Sequence, residues 1–297
     1  MLFSCLVLSA LLQSDPVQVD IDEAILLKGP LSNGLVAVLA YNDDGYYVQM
    51  IESTGKKVRR VQIDPKSFLV GFDELDELVV QHNPSLSAYD LEGRERLTFP
   101  DVLTSVITKG ELSFSKVARN IWSISRGTAL GGDRILLKLG ESNEIVVDGH
   151  LNKEASTVSM VYYWGSDWYI ARDFKLEPDP TEIVKVEESS ITNLNVSELE
   201  KLVGSPGRLW NSAFLGEEAL IACYEVEHKT DEPRISVLVR YDIKTASWSI
   251  LREIESKTDG TFVNNRIVVD FERGYAFVLT TYGRVMIIPL GSPARRA

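Results

Sequence analysis

Three segments of the chain share one pattern that decides the expected fold: VQMIESTGKKVRRVQI (Val48–Ile63), LSAYDLEGRERLTF (Leu86–Phe99) and VLVRYDIKTASWSIL (Val237–Leu251). Each contains an apolar run, an acidic turn and then a second run. An acidic side chain opens such turns by accepting hydrogen bonds from backbone amides, and Gly or Thr completes them. Each segment therefore predicts a β-hairpin.

The spacing of these hairpins indicates a repeated architecture. Gly55 and Gly93 are 38 residues apart, and Tyr89 and Tyr241 are 152 residues apart, which is four times 38. Short β-branched and aromatic segments fill the rest of the chain over 25–290, between turns rich in Gly, Asp, Asn and Pro. Similar hairpins at a nearly fixed spacing favour radial repetition of four-stranded sheets over a two-layer sandwich. The sequence therefore predicts an all-β chain that forms a single β-propeller.

One hairpin also carries a family resemblance. The segment Tyr89-Asp90-Leu91-Glu92-Gly93-Arg94 resembles the outer hairpin of six-bladed NHL-repeat propellers, which often reads apolar, Tyr or Phe, Asp, two variable residues, Gly, and Lys or Arg. WD-repeat propellers are less similar, because no Gly-His or Trp-Asp pair recurs at blade spacing. The resemblance implies a fold and carries no particular function.

We predict a propeller domain over 15–290, followed by a short C-terminal tail over 291–297. Six blades are favoured, and seven are the alternative, because the 152 residues from Gly93 to Thr245 fit three long blades or four short ones. A strand within Val17–Leu27 is expected to complete the last blade and close the ring, since closure removes two unpaired sheet edges. The expected blades lie near 29–63, 64–101, 102–159, 160–203, 204–256 and 257–290.

A single helix is predicted at Ser197–Val203. Ser197 and Glu200 have the spacing of a capping box, and Gly204 is suited to end the helix. Asn195-Val196-Ser197 also matches a glycosylation acceptor, but the capping box already explains Ser197.

The N-terminal segment predicts export. Residues Leu2–Leu12 are uncharged and apolar apart from Ser4 and Ser9, and such a run spans about 16 Å as a helix, roughly half of a bilayer core. We therefore predict no membrane span and a signal peptide over 1–14, which places the mature protein outside the cell or in the periplasm. No Lys or Arg precedes the run, and Leu12 is large for a position just before a cleavage site. A buried N-terminal strand or helix of a cytosolic protein is the alternative.

The charge of the chain excludes one class of partner. The net charge is −12, and an acidic surface repels phosphate backbones, so no nucleic-acid partner is expected. A cationic ligand, a metal ion or a basic partner suits this charge better. Cys5 lies in the predicted signal peptide, and Cys223 lies in an apolar strand, where a lone cysteine is expected to be a small buried hydrophobe.

Motifs of known catalytic chemistry are missing from the sequence. It contains no glycine-rich phosphate loop, no nucleophile elbow and no zinc-protease helix. His82, His150 and His228 are isolated beside turns, and the acidic run Asp73–Glu77 lacks the spacing and glycine of a calcium loop. We therefore predict no catalytic residues, no bound metal and no cofactor.

The candidate ligand site is the aromatic stretch Tyr162–Tyr169. Alternation along a strand sends Tyr163 to one face and Tyr162 and Trp164 to the other, so one set should be buried. Exposed rings stack on sugars or peptide side chains, and a carboxylate accepts hydrogen bonds from ligand hydroxyls. The predicted ligand-binding residues are Tyr163, Trp164, Asp167 and Trp168, whereas Trp122, Trp210 and Trp248 are expected in the core between blades.

Three functions fit these features. The favoured hypothesis is an exported, non-enzymatic propeller that binds a protein, peptide or glycan through loops at one end of the channel. The first alternative is a propeller hydrolase, lactonase-like, that uses acidic residues around a divalent metal. The second is a structural subunit of an extracellular or envelope assembly.

Overall fold

The computed structural model describes residues 15–21, 23–63, 68–72, 78–82, 85–89, 95–99, 106–109, 112–118, 120–126, 133–140, 144–178, 182–227, 234–256, 266–280 and 284–290. These residues form 25 strands, one α-helix and one 3₁₀ turn at Glu188–Ser190. The predicted all-β class is confirmed. No helix among the described residues is long and apolar enough to cross a bilayer.

The described strands pair into six sheets. Sheet 1 contains β2 (Ala24–Lys28), β3 (Val36–Asn42), β4 (Gly45–Ile51) and β5 (Lys57–Gln62), and sheet 2 contains β6 (Phe68–Phe72), β7 (Leu78–His82), β8 (Ser85–Tyr89) and β9 (Glu95–Phe99). Sheet 3 contains β10 (Val106–Lys109), β11 (Leu112–Ala118), β12 (Ile121–Arg126), β13 (Arg134–Lys138) and β17 (Ile183–Lys185). Sheet 4 contains β14 (Ile145–Asn152), β15 (Thr157–Trp164), β16 (Asp167–Lys175) and β18 (Ile191–Asn193). Sheet 5 contains β19 (Gly207–Leu215), β20 (Ala219–Val226), β21 (Arg234–Asp242) and β22 (Ser247–Ser256). Sheet 6 contains β23 (Arg266–Asp270), β24 (Tyr275–Thr280), β25 (Arg284–Pro289) and β1 (Val17–Asp20).

Two strands join sheets that are distant from them along the chain. β1 pairs antiparallel with β25, where Val19 lies opposite Val285. β17 pairs parallel with β13, where Ile183 lies opposite Leu136. The remaining sheet pairs among the described strands are antiparallel and take the strands in chain order.

Each sheet contacts the next one along the chain, and the sixth contacts the first. The first strand of a sheet makes most of these contacts: β2 meets β6, β6 meets β10, β14 meets β19, β19 meets β23 and β23 meets β2. Sheets 3 and 4 meet through β11 and β14.

The apolar core lies between neighbouring sheets. Along β3, Val36 and Val38 pack in a cluster shared with sheet 6, whereas Ala37 and Leu39 pack in a cluster that includes Leu78 of sheet 2. Successive side chains of a strand point to opposite faces, so a sheet that is covered on both faces needs apolar residues at every position. This explains why strands in the middle of a sheet, such as β3 and β20, read as continuous apolar runs.

The three repeated hairpins are confirmed as β4–β5, β8–β9 and β21–β22, each the third and fourth strand of its sheet. Tyr89 and Tyr241 lie in sheets 2 and 5, which are three sheets apart. Their separation of 152 residues therefore covers three sheets among the described strands.

Two predicted repeat boundaries are wrong. The boundary at 159–160 falls inside β15, because sheet 4 already begins with β14. The boundary at residue 29 excludes β2, which is the first strand of sheet 1. Sheet 3 takes β17 from beyond the β15–β16 hairpin, and a parallel pairing over that distance leaves no hairpin pattern in the sequence.

Candidate functional site at the junction of sheets 4 and 5

The aromatic stretch predicted as a ligand site forms the β15–β16 hairpin. Tyr163 lies opposite Trp168, and their rings stack with centroids 5.1 Å apart. Tyr162 lies opposite Tyr169, with ring centroids 5.4 Å apart. Tyr162 packs in the cluster between sheets 3 and 4, whereas Tyr163 packs against the cluster between sheets 4 and 5. The predicted alternation of these rings is confirmed.

A cavity of about 780 Å³ lies where this hairpin meets sheet 5 and the helix α1 (Val196–Val203). Its wall comes from three places, namely the hairpin, the segment that leads into α1 together with the first residues of α1, and the start of β19. The lining residues are Tyr163, Gly165, Ser166, Asp167, Trp168, Asn193, Asn195, Val196, Ser197, Glu200, Gly207, Arg208, Leu209 and Trp210. This volume is typical of pockets that hold small ligands.

Three of the four predicted ligand residues, Tyr163, Asp167 and Trp168, line this cavity. The fourth, Trp164, is not among the lining residues, and its side chain is 49% exposed. Trp168 is only 4% exposed, so its ring serves mainly as support for the ring stacked on it. Tyr163 is half-buried and is the ring of this pair with more surface left for a ligand.

Helix α1 reaches the cavity with its first turn. Asn195 precedes the helix with a left-handed backbone (φ 45°), and its N–H donates to Asn193 Oδ1 at 2.7 Å. The predicted capping box is wrong, because the helix begins at Val196 and no side chain caps it. The bend at Asn195 starts the helix early, so Ser197 falls inside the first turn and lines the cavity.

Packing and a glycine hold α1 in place. Leu199 is buried in the cluster between sheets 4 and 5, and the Trp248 indole N–H of sheet 5 donates to the Leu194 carbonyl at 2.8 Å. Gly204 ends the helix as predicted, with a left-handed backbone (φ 79°) and its N–H donating to the Glu200 carbonyl at 2.9 Å.

On the opposite wall, Gly207 allows β19 to lie close to β20. A Cβ at this position would overlap the Glu225 carbonyl oxygen and come within 2.8 Å of the Tyr224 ring. The Tyr224 hydroxyl donates to the Ser205 carbonyl at 2.9 Å, which ties the loop after α1 to sheet 5. Burial, followed by the nearby Glu200 and Glu227 carboxylates, raises the pKa of Tyr224 to about 12.

The charged residues of the cavity are Asp167, Glu200 and Arg208. The Arg208 guanidinium lies over the Trp210 ring, 4.8 Å from its centroid, and Arg208 stands opposite Glu225 in the strand pair. Burial, the Asp167 carboxylate and its hydrogen bond with the Tyr169 hydroxyl raise the pKa of Tyr169, which packs on the other face of the hairpin. Asp167 and Glu200 therefore act on tyrosines that lie next to the cavity and are not among its lining residues.

A buried hydrogen bond also joins sheets 4 and 5. The Asp148 carboxylate of β14 accepts a hydrogen bond from the Phe214 backbone N–H of β19 at 2.7 Å. The His150 ring lies beside this contact, 5.9 Å from the Phe214 ring. Burial lowers the pKa of His150, and the Glu217 and Asp148 carboxylates oppose that shift.

The other residues singled out in the sequence are distributed as follows. His82 lies in β7, and His228 and Asp73–Glu77 lie outside the described residues. Cys223 is fully buried, which raises its pKa to about 12, so the predicted small buried hydrophobe is confirmed. In the part of the chain that the structure describes, no group of three or more His, Cys, Asp or Glu side chains is arranged to hold a metal.

Sequence reasoning missed part of the cavity. Trp122 and Trp248 pack between sheets, as predicted, but Trp210 lines the cavity. Arg208 was not singled out either. No regular alternation could have found them, because the β19–β20 pair has a bulge between Leu209 and Asn211 that contains Trp210.

Neither a family profile nor a curated protein sequence matches the chain. Its structure is similar to the β-propeller domain of Myceliophteria thermophila Cps50 (Swd1), with a TM-score of 0.53, 11% identity and coverage of 93% of this chain and 100% of that one. A chain of a mitotic checkpoint complex matches with a TM-score of 0.53, 10% identity and coverage of 95% and 97%. Virginiamycin B lyase from Staphylococcus aureus matches with a TM-score of 0.50, 10% identity and coverage of 93% and 99%.

The chain has a β-propeller fold. The predicted resemblance to propellers is therefore confirmed for the fold, and the finer likeness to NHL repeats stays a prediction. Identities near one in ten carry no function across to this propeller.

Proposed function

We propose that this propeller is an exported, non-enzymatic binding module that holds a protein, peptide or glycan at the cavity between sheets 4 and 5. One observation carries the proposal. Tyr163, Asp167 and Trp168, predicted as ligand residues from the sequence, line one cavity together with Arg208 and Trp210 of the neighbouring sheet. Aromatic rings beside a few polar and charged groups are typical of recognition sites.

We also propose that the propeller has six blades in a ring closed by β1. Three observations support this proposal: the contacts that run from sheet 1 to sheet 6 and back, the pairing of β1 with β25, and a hydrogen bond of 3.2 Å from Arg273 Nη2 of the turn after β23 to the Ser32 carbonyl of sheet 1. In a closed ring, no unpaired sheet edge remains where the last sheet meets the first.

The fold alone does not choose between binding and catalysis, because the similar chains include one from a mitotic checkpoint complex and one lyase. The choice rests on the cavity. The alternative, a lactonase-like hydrolase with acidic residues around a divalent metal, would gain support if metal stayed bound through purification. Elemental analysis of the purified protein measures whether a divalent metal is bound.

Export is supported by the apolar run Leu2–Leu12. Cleavage after Ser14 would leave β1 whole, so the pairing with β25 would survive processing. The full chain, expressed in a secreting host, should be recovered outside the cytoplasm with its N-terminus near Asp15 by intact mass. A cytosolic product that retains Met1 would overturn this part of the proposal.

Ser166 offers a direct test of the cavity. It is exposed and lines the cavity, so Ser166→Trp should obstruct ligand entry without disturbing the core. Peptides selected from a displayed random library, and oligosaccharides from a glycan array, should bind the unmodified chain in calorimetric titrations. Ser166→Trp should weaken the binding of those ligands by about tenfold or more.

The matched control is Ala155→Trp, because Ala155 is exposed in the turn at the other end of β15. This variant should bind like the unmodified chain, and both variants should unfold at the same temperature. Equal binding by all three proteins would place the ligand site elsewhere. If no selected ligand binds the unmodified chain, the binding function itself is wrong.

A further inference from the structure

We infer that the cavity between sheets 4 and 5 takes a positively charged side chain, arginine or lysine, presented by a basic peptide segment. The inference rests on the proposed binding function and names the ligand chemistry of the same cavity.

Two carboxylates and one cation line the cavity. Asp167 belongs to the β15–β16 hairpin, and Glu200 belongs to α1, so the carboxylates come from two different walls. Both act on neighbouring groups, since Asp167 contributes to the raised pKa of Tyr169 and Glu200 contributes to that of Tyr224. A guest between these walls experiences a negative potential, which favours a cation.

The cation of the cavity is already engaged by the protein. The Arg208 guanidinium lies 4.8 Å from the centroid of the Trp210 ring and stands opposite Glu225 across the β19–β20 pair. The guanidinium is therefore held at the sheet 5 wall, and with two carboxylates against one guanidinium the lining keeps an excess of one negative charge.

The aromatic surface suits the same guest. Tyr163 lines the cavity, and its ring is backed by Trp168 at 5.1 Å. A guanidinium or ammonium over an aromatic face is attracted by the negative face of the ring. Carboxylates beside a ring therefore select a cation over a neutral guest.

The volume and the polar lining favour a peptide over a free amine. The cavity of about 780 Å³ is larger than one side chain, so it also has room for the residues on either side. Asn193, Asn195, Ser166 and Ser197 contribute neutral polar groups to the wall, which suit a peptide backbone. The net charge of −12 would speed the approach of a basic segment at low salt.

Three acetylated, amidated pentapeptides test the inference, with the sequences Gly-Ala-X-Ala-Gly where X is arginine, citrulline or glutamate. Citrulline has nearly the shape of arginine without its charge. Titrations of the full chain, followed by ¹⁵N NMR of the tryptophan indoles, should show the arginine peptide binding about tenfold more tightly than the citrulline peptide. Tighter binding of the glutamate peptide would overturn the inference, and would indicate that Arg208 and the first turn of α1 select an anion.

Two residues on one helix provide a matched pair of variants. Glu200 lines the cavity, whereas Glu198 is exposed and does not. Glu200→Gln should lower the affinity for the arginine peptide by about threefold or more. Glu198→Gln should leave that affinity unchanged. Equal effects of the two variants would assign the preference to general charge attraction and overturn the inference.

The two proposals fail in different ways. If the citrulline peptide binds as well as the arginine peptide and Ser166→Trp abolishes both, the binding function stands and the cationic ligand is wrong. If the arginine peptide binds Ser166→Trp as well as it binds the unmodified chain, the cavity is the wrong site for it. If none of the three peptides binds, the cationic ligand is wrong, and the library and glycan titrations decide the binding function separately.

Discussion

Asp148 holds the sheets on either side of the cavity together through one buried carboxylate. Its carboxylate accepts a hydrogen bond of 2.7 Å from the backbone N–H of Phe214, which is 66 residues away along the chain. Such a hydrogen bond to a charged group contributes about 1.5–3 kcal/mol, and its loss leaves a buried N–H without an acceptor. The junction between sheets 4 and 5 therefore depends on a polar group within an apolar core.

Replacing this carboxylate should destabilise the protein. Asp148→Ala should lower the free energy of unfolding by about 2–3 kcal/mol, measured by urea denaturation at neutral pH. Asp148→Asn keeps a carbonyl oxygen for the Phe214 N–H, so it should cost less than Asp148→Ala. Equal losses in the two variants would contradict the role given to this hydrogen bond.

His150 should make the stability of this junction depend on pH. Burial lowers the pKa of the folded protein's imidazole below the ordinary value of 6.5, so the unfolded chain binds more protons in the interval between the two pKa values. The contribution of His150 to stability is therefore complete above pH 6.5 and is lost as the pH falls toward the folded pKa.

The comparison of the unmodified chain with His150→Gln isolates this effect. Thermal melts at several pH values between about 8 and 5 should show the unmodified chain losing more stability on acidification than the variant. A difference between the two proteins that stays constant with pH would contradict the assigned shift.

Helix α1 and strand β19 are joined by a short connection that contains two glycines with different roles. Gly204 has a left-handed backbone (φ 79°), and a Cβ there would meet no atom within 4 Å. Gly207 has no such conformational demand, but a Cβ there would overlap the Glu225 carbonyl oxygen. One glycine serves the helix end, and the other allows β19 to pair closely with β20.

Alanine at these two positions should therefore have unequal effects. Gly204→Ala should cost about 1 kcal/mol, the cost of a left-handed alanine. Gly207→Ala should cost more, about 2–3 kcal/mol, because backbone atoms must move apart. Chemical denaturation measures the loss of unfolding free energy in both variants. An equal or smaller loss for Gly207→Ala would show that β19 and β20 move apart at little cost.

Across the whole molecule, the first and last parts of the chain meet at the junction of sheets 6 and 1. Val19 and Ile21 are buried there in the cluster shared with sheet 1. The buried Asp270 carboxylate accepts hydrogen bonds from the Arg273 N–H at 3.0 Å and from its Nη1 at 3.2 Å. Arg273 in turn donates to the Ser32 carbonyl of sheet 1, so this junction is both packed and hydrogen-bonded.

Two shortened chains test how far the molecule depends on β1. A chain that starts at Asp15 keeps β1 and should unfold at the temperature of the full chain. A chain that starts at residue 22 loses Val19 and Ile21 from the core and should unfold about 5–10 °C lower. Scanning calorimetry gives both midpoints, and equal midpoints would show that β1 contributes little to the fold.

The cavity was only partly predictable from the sequence. Tyr163, Asp167 and Trp168 lie within six residues of one another, so the unusual local composition identified them as candidates. Arg208 and Trp210 join them from about 40 residues away, and Glu200 joins them from a helix. A hairpin brings its own strands together, but no local pattern states which neighbouring sheet will face it.

Local regularities of the chain were sufficient for the β-hairpins, the all-β class and the propeller fold, because alternation and turn residues act between neighbours along the chain. Only the tertiary structure decided that β17 crosses to sheet 3, that Asp148 links two sheets, and that two carboxylates and an arginine surround Tyr163. These features arise from pairings between distant segments, and such pairings depend on how whole sheets pack against each other.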